Sequence, residues 1–454
     1  MSAEGYGEAA AELLSAAGAG VFDEVELERD DGALVRGVLL PRPQYGDPNV
    51  LVVKLPNGYN VGIDARRVKS LRRVGRVEPS RGAAAPAPSP KPGLPRVHFV
   101  GTGGTIASRV DYVSGAVYPY FTAEEIYSMV PELEDVALVS AETLFNVFSE
   151  DMTPRHWSAI AERVAKVFES EGPAGVIVAH GTDTMGYTAA ALAFALRRLP
   201  GPVILVGAQR SSDRPSTDSA TNVLAAAVTA VKAPFAESVV VMHAGPDDTA
   251  FYVHRGVRVR KMHTSRRDAF RSVNAVPLAK VELPSRELKV FARRFTPRSS
   301  EGVVLEGGFE ERVALVKFYP GMSPEVLDFL VDRGYRGVVI EGTGLGHVSA
   351  DLVPSVRRAT EEGVVVVVAS QCIWGRVNMN VYRRGVELLK AGAVPAEDML
   401  PETAFVKLSW VLARAQGREE AVRLFLTNVA HEMDERSEEW YYPPLNYFER
   451  YVRG

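Results

Sequence analysis

The sequence predicts an α/β protein of two lobes with mostly parallel sheets, preceded by a small β-barrel. Three observations carry this. From Arg96 onward, short apolar runs alternate with helical stretches, the pattern of a mostly parallel sheet covered by helices. Before that point, short stretches alternate polar and apolar residues between turn signals. Between the two lies "VEPSRGAAAPAPSPKPGLPR", Val77 to Arg96, whose six prolines, with alanine and glycine, cannot pair as a sheet. It reads as a semi-extended linker.

The first module runs to residue 76. Its opening "AELLSAAG" reads as a short helix stopped by Gly18. "FDEVELERDDGALVRGVLLP" then alternates around an Asp31-Gly32 turn, and "VLVVKLPNGYNVGID" alternates around Asn57-Gly58, a strong hairpin signal. Four or five short strands are expected, enough for a small barrel. In "DARRVKSLRRVGR", the cations Arg66, Arg67, Lys69, Arg72, Arg73 and Arg76 crowd together. They are either a solvated rim or a contact for a nucleic-acid backbone or an acidic partner. Residues 1–75 hold nine Lys/Arg against eleven Asp/Glu, so the module as a whole is not basic.

After the linker (77–95), strand candidates "VHFVG", "GVIVAHG", "PVILVGAQ" and "SVVVMHAG" alternate with helices such as "HWSAIAERVAKVFES" and "TAAALAFALRRL". A second set, "YRGVVIEGTGLG" and "EEGVVVVVASQCIWG", precedes an apolar-striped helix in "MLPETAFVKLSWVLARA". A break around Pro284 to Pro297 separates the lobes, which are expected over 96–299, carrying the catalytic loops, and 300–454. Ligands of open α/β sheets sit beyond the carboxyl ends of strands. Those ends carry "GTGGT", "HGTDTM", "GAQRSSDRPSTD" and "HAGPDD", all rich in small and polar residues.

Composition bounds the function. A chain of 454 residues, 46% hydrophobic and 24% charged, has ample material for a core. A net charge of -4 argues against a chain that grips nucleic acid over its whole surface. The only cysteine, Cys372, excludes an internal disulfide and favours a reducing, cytoplasmic setting; at an apolar strand end it reads as core. The N-terminal stretch lacks the basic start and apolar run of a secretory leader. No apolar stretch approaches the roughly 18 residues that span a bilayer, so no membrane partner is expected.

The loop "GTGGTIASRVDY" (Gly101–Tyr112) poses the functional question. It matches neither phosphate fingerprint: no lysine follows the glycines, and the third glycine of G-x-G-x-x-G is Ile106. The alternative is a reactive threonine. Thr105 ends a glycine turn with exposed backbone N–H groups, but a threonine hydroxyl needs a base. "HGTDTM" supplies Thr182 and Asp183, and "RVRKMHTS" supplies Lys261. Arg255, Arg258, Arg260, Arg266, Arg267 and Arg271 surround Lys261 in sequence. Like charges close in space would favour its neutral, basic form. Hydroxyl, amine and carboxylate together make a triad-type proton relay. His180, His243, His254 and His263 have no metal-ligand spacing and read as structural or surface residues.

"TGGTIA" (Thr102–Ala107) with "HGTDTM" (His180–Met185) resembles the paired signature loops of the bacterial-type L-asparaginase family. "FSEDM", "RKMHTS" and "DMLPETAFVKLSW" are similar to its later segments, and the resemblance covers Arg96 to the C-terminus. The resemblance implies a two-lobed asparaginase-like fold. It implies Thr105 as primary nucleophile and a second threonine-centred triad of Thr182, Asp183 and Lys261. Ser149 and Glu150, with Asp183, would hold the substrate's α-amino and α-carboxylate groups, and Gly104 would line the substrate site. Many asparaginases carry glutamine where Glu150 stands. A flap tyrosine is also implied, with Tyr112, Tyr118 and Tyr120 as candidates.

A plain asparaginase lacks the barrel and linker. With them, the chain resembles the GatD family of archaeal amidotransferase components. That resemblance implies release of ammonia from glutamine or asparagine and its supply to a GatE-type partner. The partner would use ATP and Mg to activate glutamate on tRNA(Gln), while this chain would need no cofactor or metal. It would form a homodimer within a heterotetramer and meet tRNA mainly through the partner. A free-standing asparaginase or glutaminase with an added barrel is the alternative.

Overall fold

The alternating stretches ahead of the linker form five antiparallel strands in the computed structural model, which describes residues 6–41, 47–55, 60–76, 91–104, 108–110, 117–119, 122–210 and 217–442. Helix α1 (Glu8–Ala16) precedes β1 (Asp23–Arg29), β2 (Leu34–Leu39), β3 (Val50–Lys54), β4 (Asn60–Asp64) and β5 (Val68–Arg76), arranged β4-β3-β2-β1-β5. The period-two pattern turns Val25, Leu27, Leu39, Leu51 and Val53 inward onto Ala10 and Leu14 of α1. Register shifts along the β1–β5 ladder bend the sheet. Among the described residues no β4–β5 ladder closes it, so the module is barrel-like. The Asp31-Gly32 turn joins β1 to β2; Asn57-Gly58 lies outside the described residues.

The basic run is largely neutralised within the module. Arg66 pairs with Asp64 at 2.8 Å, Arg67 with Asp30 at 3.0 Å, Arg72 with Glu26 at 2.7 Å and Arg73 with Asp23 at 3.1 Å. These pairs fit the solvated-rim reading better than a phosphate-binding face.

Beyond the linker come β6 (Arg96–Gly101), a ribbon of β7 (Ser108–Val110) and β8 (Val117–Pro119), α2 (Ala123–Met129), β9 (Leu138–Thr143), α3 (Pro154–Glu171), β10 (Gly175–Ala179) and α4 (Met185–Ala195). There follow β11 (Leu196–Arg197), β12 (Val203–Val206), α5 (Ser219–Lys232), β13 (Ser238–His243), β14 (Ala250–Arg255), the hairpin β15 (Val259–Lys261) and β16 (Phe270–Ser272), β17 (Ala279–Glu282) and β18 (Glu287–Val290). The main sheet runs β18-β17-β14-β13-β12-β10-β6-β9, parallel from β9 through β13 and antiparallel beyond. Alternate residues face opposite layers. Phe99, Ile177, Ile204 and Val239 pack in one cluster with α2 and α5, while Val100, Val178, Leu205 and Val240 pack in another with α3 and α4. Each fully buried aliphatic side chain contributes roughly 1.5–3 kcal/mol.

The segment Pro284–Pro297, where the sequence suggests a break, is not free of regular structure. It contains β18, which folds back on β17 and extends the sheet, because "ELKV" is long enough to pair across a tight turn.

The second lobe begins with β19 (Val304–Leu305), which pairs with β11. It continues through β20 (Val313–Lys317), α6 (Glu325–Asp332), β21 (Gly337–Gly342), α7 (Leu352–Glu361), β22 (Val365–Ser370), α8 (Arg383–Lys390), β23 (Val394–Pro395), α9 (Pro401–Leu412) and α10 (Arg418–Phe425). Its sheet is parallel throughout, in the order β20-β21-β22-β23. Val338, Ile340 and Val366 pack with α6 and α7; Val339, Val365 and Val367 share a core with α9 and with Ala190 and Phe194 of α4. Phe194 stacks on Trp410 of α9 at 5.7 Å, so the lobes share one apolar seam. Cys372 is exposed rather than core, since β22 ends at Ser370 and the chain turns outward.

Candidate active site

The parallel strands β9-β6-β10-β12-β13 follow the order 2-1-3-4-5 along the chain. The strand order reverses around β6, so the crevice between β6 and β10 is the topological switch point of the sheet. The two glycine- and threonine-rich loops leave the sheet there. After β6, both the N–H and the hydroxyl of Thr102 donate to Ala179 O, at 3.0 and 2.9 Å, tying the first loop to the end of β10. Gly103 and Gly104 then take φ of +108° and +88°, a region that suits glycine. A Cβ on Gly104 would lie 2.6 Å from Gly181 N, so the two loops touch backbone to backbone.

The second loop, His180 to Thr184, runs directly into α4. His180 is fully buried, and burial pulls it down to about pKa 4, leaving it neutral. Its Nδ1 donates to Gly181 O at 2.7 Å and its Nε2 accepts from Thr188 Oγ1 at 2.8 Å, which fixes the loop carbonyl just ahead of Thr182. From the end of β9, the short 3-10 turn Ser149–Asp151 approaches the same place. Ser149 is buried against Gly181, and its carbonyl accepts from Thr184 Oγ1 at 2.5 Å; Glu150 is exposed on the same turn.

Lys261 arrives on β15. Its Nζ lies 2.8 Å from Thr182 Oγ1 and 2.8 Å from Asp183 Oδ1. Thr182 is buried, the Lys261 side chain is 13% exposed and the Asp183 side chain 70% exposed. A mostly buried amine is therefore held between an inner hydroxyl and an outer carboxylate, an arrangement able to pass a proton.

The arginines near Lys261 do not act as a cluster of like charges. Each has a carboxylate partner: Arg255 with Glu237, Arg258 with Asp398, Arg260 with Glu402, Arg266 and Arg271 with Asp268, and Arg267 with Asp248. Arg260 reaches the start of α9 at 3.2 Å, tying the lysine's strand to the second lobe. Tyr187, in the first turn of α4, is pushed up to about pKa 12 by burial and by Glu402.

Of the residues singled out in the sequence, Thr182, Asp183, Ser149, Glu150 and Gly104 lie on these adjoining segments, and Lys261 meets them from the end of β15. Thr105 lies outside the described residues, as do Tyr112 and Tyr120, and the side chain of Tyr118 on β8 is likewise not described. Thr102 and Thr184 stitch the loops together and are not among the residues that sequence reasoning singles out; their signal is their place inside "TGGTIA" and "HGTDTM". Among the described residues, no group of three His, Cys, Asp or Glu side chains is arranged to hold a metal ion.

Two α/β lobes with loops of this kind at the switch point define an asparaginase-type fold. The chain matches the family model for the asparaginase N-terminal domain over residues 96–294 and that for the glutaminase/asparaginase C-terminal domain over 312–425. Solved relatives include the thermostable L-asparaginase of Thermococcus kodakarensis, with TM-score 0.68 and 29% identity, covering 75% of this chain and 100% of that one. L-asparaginase I of Vibrio cholerae gives TM-score 0.67 and 28% identity, with 75% and 99% covered.

Residues 19–72 match the GatD N-terminal domain. The D component of the glutamyl-tRNA(Gln) amidotransferase of Thermofilum pendens is 56% identical over 97% of this chain and 99% of its own length. That of Pyrococcus abyssi is 53% identical over 97% and 99%. The chain belongs to the GatD family of glutamyl-tRNA(Gln) amidotransferases.

Proposed function

We propose that this chain is the ammonia-releasing component of an amidotransferase that converts Glu-tRNA(Gln) to Gln-tRNA(Gln). The observation that carries the reading is the Lys261 amine held at 2.8 Å from both Thr182 Oγ1 and Asp183 Oδ1 beside the Gly103-Gly104 turn. Family membership supports the choice of tRNA-linked glutamate as the destination of the nitrogen.

The substrate is glutamine or asparagine. Ser149, Glu150 and Asp183 orient its α-amino and α-carboxylate groups, and Gly104 lines the site. The Thr105 hydroxyl oxygen attacks the side-chain amide carbon. Its proton passes, through the Lys261–Asp183 pair with Thr182, to the departing nitrogen. Backbone N–H groups of the glycine turn stabilise the tetrahedral oxyanion, typically by about 2.7–4 kcal/mol per donor. The C–N bond breaks and ammonia leaves; water then attacks the acyl ester, restoring the threonine and releasing the acid. Ammonia goes to a GatE-type partner that binds ATP, Mg and the charged tRNA, in a heterotetramer built on a homodimer of this chain.

Replacing Thr105 by alanine is expected to abolish ammonia release from glutamine without changing the melting temperature. Release at the wild-type rate by this variant would remove Thr105 from the mechanism. Strong free asparaginase activity, with no tRNA-binding partner recoverable from the native cell, would favour a free-standing hydrolase instead.

A further inference from the structure

Behind Thr182 runs a chain of polar contacts, buried at its inner end and reaching the surface at Asp248, that the reaction above does not use. Gly207, in the loop after β12, backs onto Thr182: a Cβ there would lie 2.7 Å from both Thr182 Cγ2 and His180 O. Its carbonyl accepts from Asn222 Nδ2 of α5 at 2.9 Å. The same amide donates to Asp218, which also accepts from the backbone N–H groups of Gln209 and Arg210, at 3.0 Å each. With its amide donors committed, Asn222 presents Oδ1 as acceptor to His243 Nδ1 at 2.8 Å. His243 Nε2 lies 2.9 Å from Asp248 Oδ1 in the β13–β14 turn; with acceptors at both ring nitrogens, both links are made by the imidazolium form, which burial opposes and the Asp248 carboxylate favours. Asp248 Oδ1 accepts from Arg267 at 2.7 Å. Arg267 belongs to the tip of the β15–β16 hairpin, the two-stranded ribbon that carries Lys261.

These contacts close a ring: Thr182 loop, Gly207, Asn222, His243, Asp248, Arg267, hairpin, Lys261, and back to Thr182. Asp218, Asn222 and His243 are fully buried. Burying so many polar groups costs desolvation that an apolar core would avoid, so its value lies in fixing geometry. The strands of the hairpin have only three residues each and do not belong to the main sheet, so its tip needs an external anchor.

From this ring we infer that His243, Asp248 and Arg267 are positioning residues for amide hydrolysis, holding the Lys261 hairpin in register with the Thr182 loop. The inference rests on the proposed role of Lys261 and concerns how that amine is placed, not what it does.

The test uses Asp248→Asn in the full-length chain, with glutamine-dependent ammonia release as readout. Asp248 is half exposed, so the isosteric change spares the fold, which a melting curve verifies. The expected result is a kcat reduced on the order of 10- to 100-fold with KM changed less than about threefold, as for displaced reacting groups. Arg267→Met should match it, the double variant should be no worse than the poorer single one, and Arg267→Lys should recover much of the rate. In a Lys261→Met background, Asp248→Asn should cause no further loss. A general fold defect would lower both backgrounds by the same factor, and that outcome overturns the inference. So does a wild-type kcat for Asp248→Asn while Lys261→Met is impaired. If Lys261→Met is itself unimpaired, the assigned role of the lysine fails, and the positioning role falls with it.

Discussion

Replacing Gly104 by alanine tests how tightly the two loops depend on each other. Gly104 sits at φ +88°, and an L-residue there costs roughly 1–2 kcal/mol. The steric term is larger. The new Cβ would stand 2.6 Å from Gly181 N and 2.8 Å from its Cα, where ordinary contact begins at 3.4 Å. Both obstacles are backbone atoms, so no rotamer change relieves them. Either the glycine turn or Gly181 must move by about 0.8 Å in a close-packed site. Gly181 precedes Thr182, whose hydroxyl meets Lys261 at 2.8 Å. Misplacement approaching 1 Å at reacting groups costs on the order of 10²-fold. The kcat for ammonia release from glutamine should therefore fall by about two orders of magnitude, with the melting temperature lowered by only a few degrees. Steady-state ammonia assays beside thermal melts measure both. Wild-type kcat in a folded Gly104→Ala chain would refute the claim that this turn sets the position of the Thr182 loop.

Two further outcomes follow from the same structure. His180 is fully buried with its pKa lowered to about 4, so below the ordinary value of 6.5 the unfolded chain takes up a proton that the folded chain refuses. Stability is then complete above pH 6.5 and declines as pH falls toward 4, by roughly 3 kcal/mol from this residue. Denaturant unfolding at pH 7 and pH 4.5 should show a smaller drop for His180→Gln than for wild type, and equal drops would exclude His180 as the source. The N-terminal module has its own core, so a chain lacking residues 1–76 should still hydrolyse glutamine but lose efficient tRNA-coupled transfer. An insoluble truncated chain would show that this module completes the core of the lobes.

Much of this architecture is legible in the sequence because it is local. Period-two alternation marks β1 to β4, and apolar runs such as "GVIVA" and "VVVVVAS" mark buried parallel strands. β18 escapes notice because four residues with exposed alternate positions resemble a charged loop until a partner strand is present. Cys372 reads as core because the apolar run before it hides the strand's end. At the site, Thr182 and Asp183 share one conspicuous loop, whereas Lys261 lies 79 residues from Thr182, and the sequence offers it only as one basic residue among arginines until the resemblance pairs it with that loop. The Asn222–His243–Asp248–Arg267 chain is not legible. Its links span 21, 5 and 19 positions across separate elements, and no local pattern announces them. The carboxylates that neutralise Arg258 and Arg260 lie even farther off, in the second lobe, which is why the like-charge argument for Lys261 loses its premise.

Conversion of Glu-tRNA(Gln) to Gln-tRNA(Gln) tests the central claim most directly. Purified full-length chain is incubated with glutamine, ATP, Mg and charged tRNA, first alone and then with the proposed GatE-type partner. Activating a carboxyl group requires ATP chemistry, this sequence contains no P-loop, and in the proposed mechanism its glycine-rich loop serves the amide substrate. The account predicts no Gln-tRNA(Gln) from the chain alone and efficient conversion once the partner is added, abolished by Thr105→Ala. Efficient conversion by the chain alone, or conversion from glutamine that survives Thr105→Ala in the complex, would contradict it.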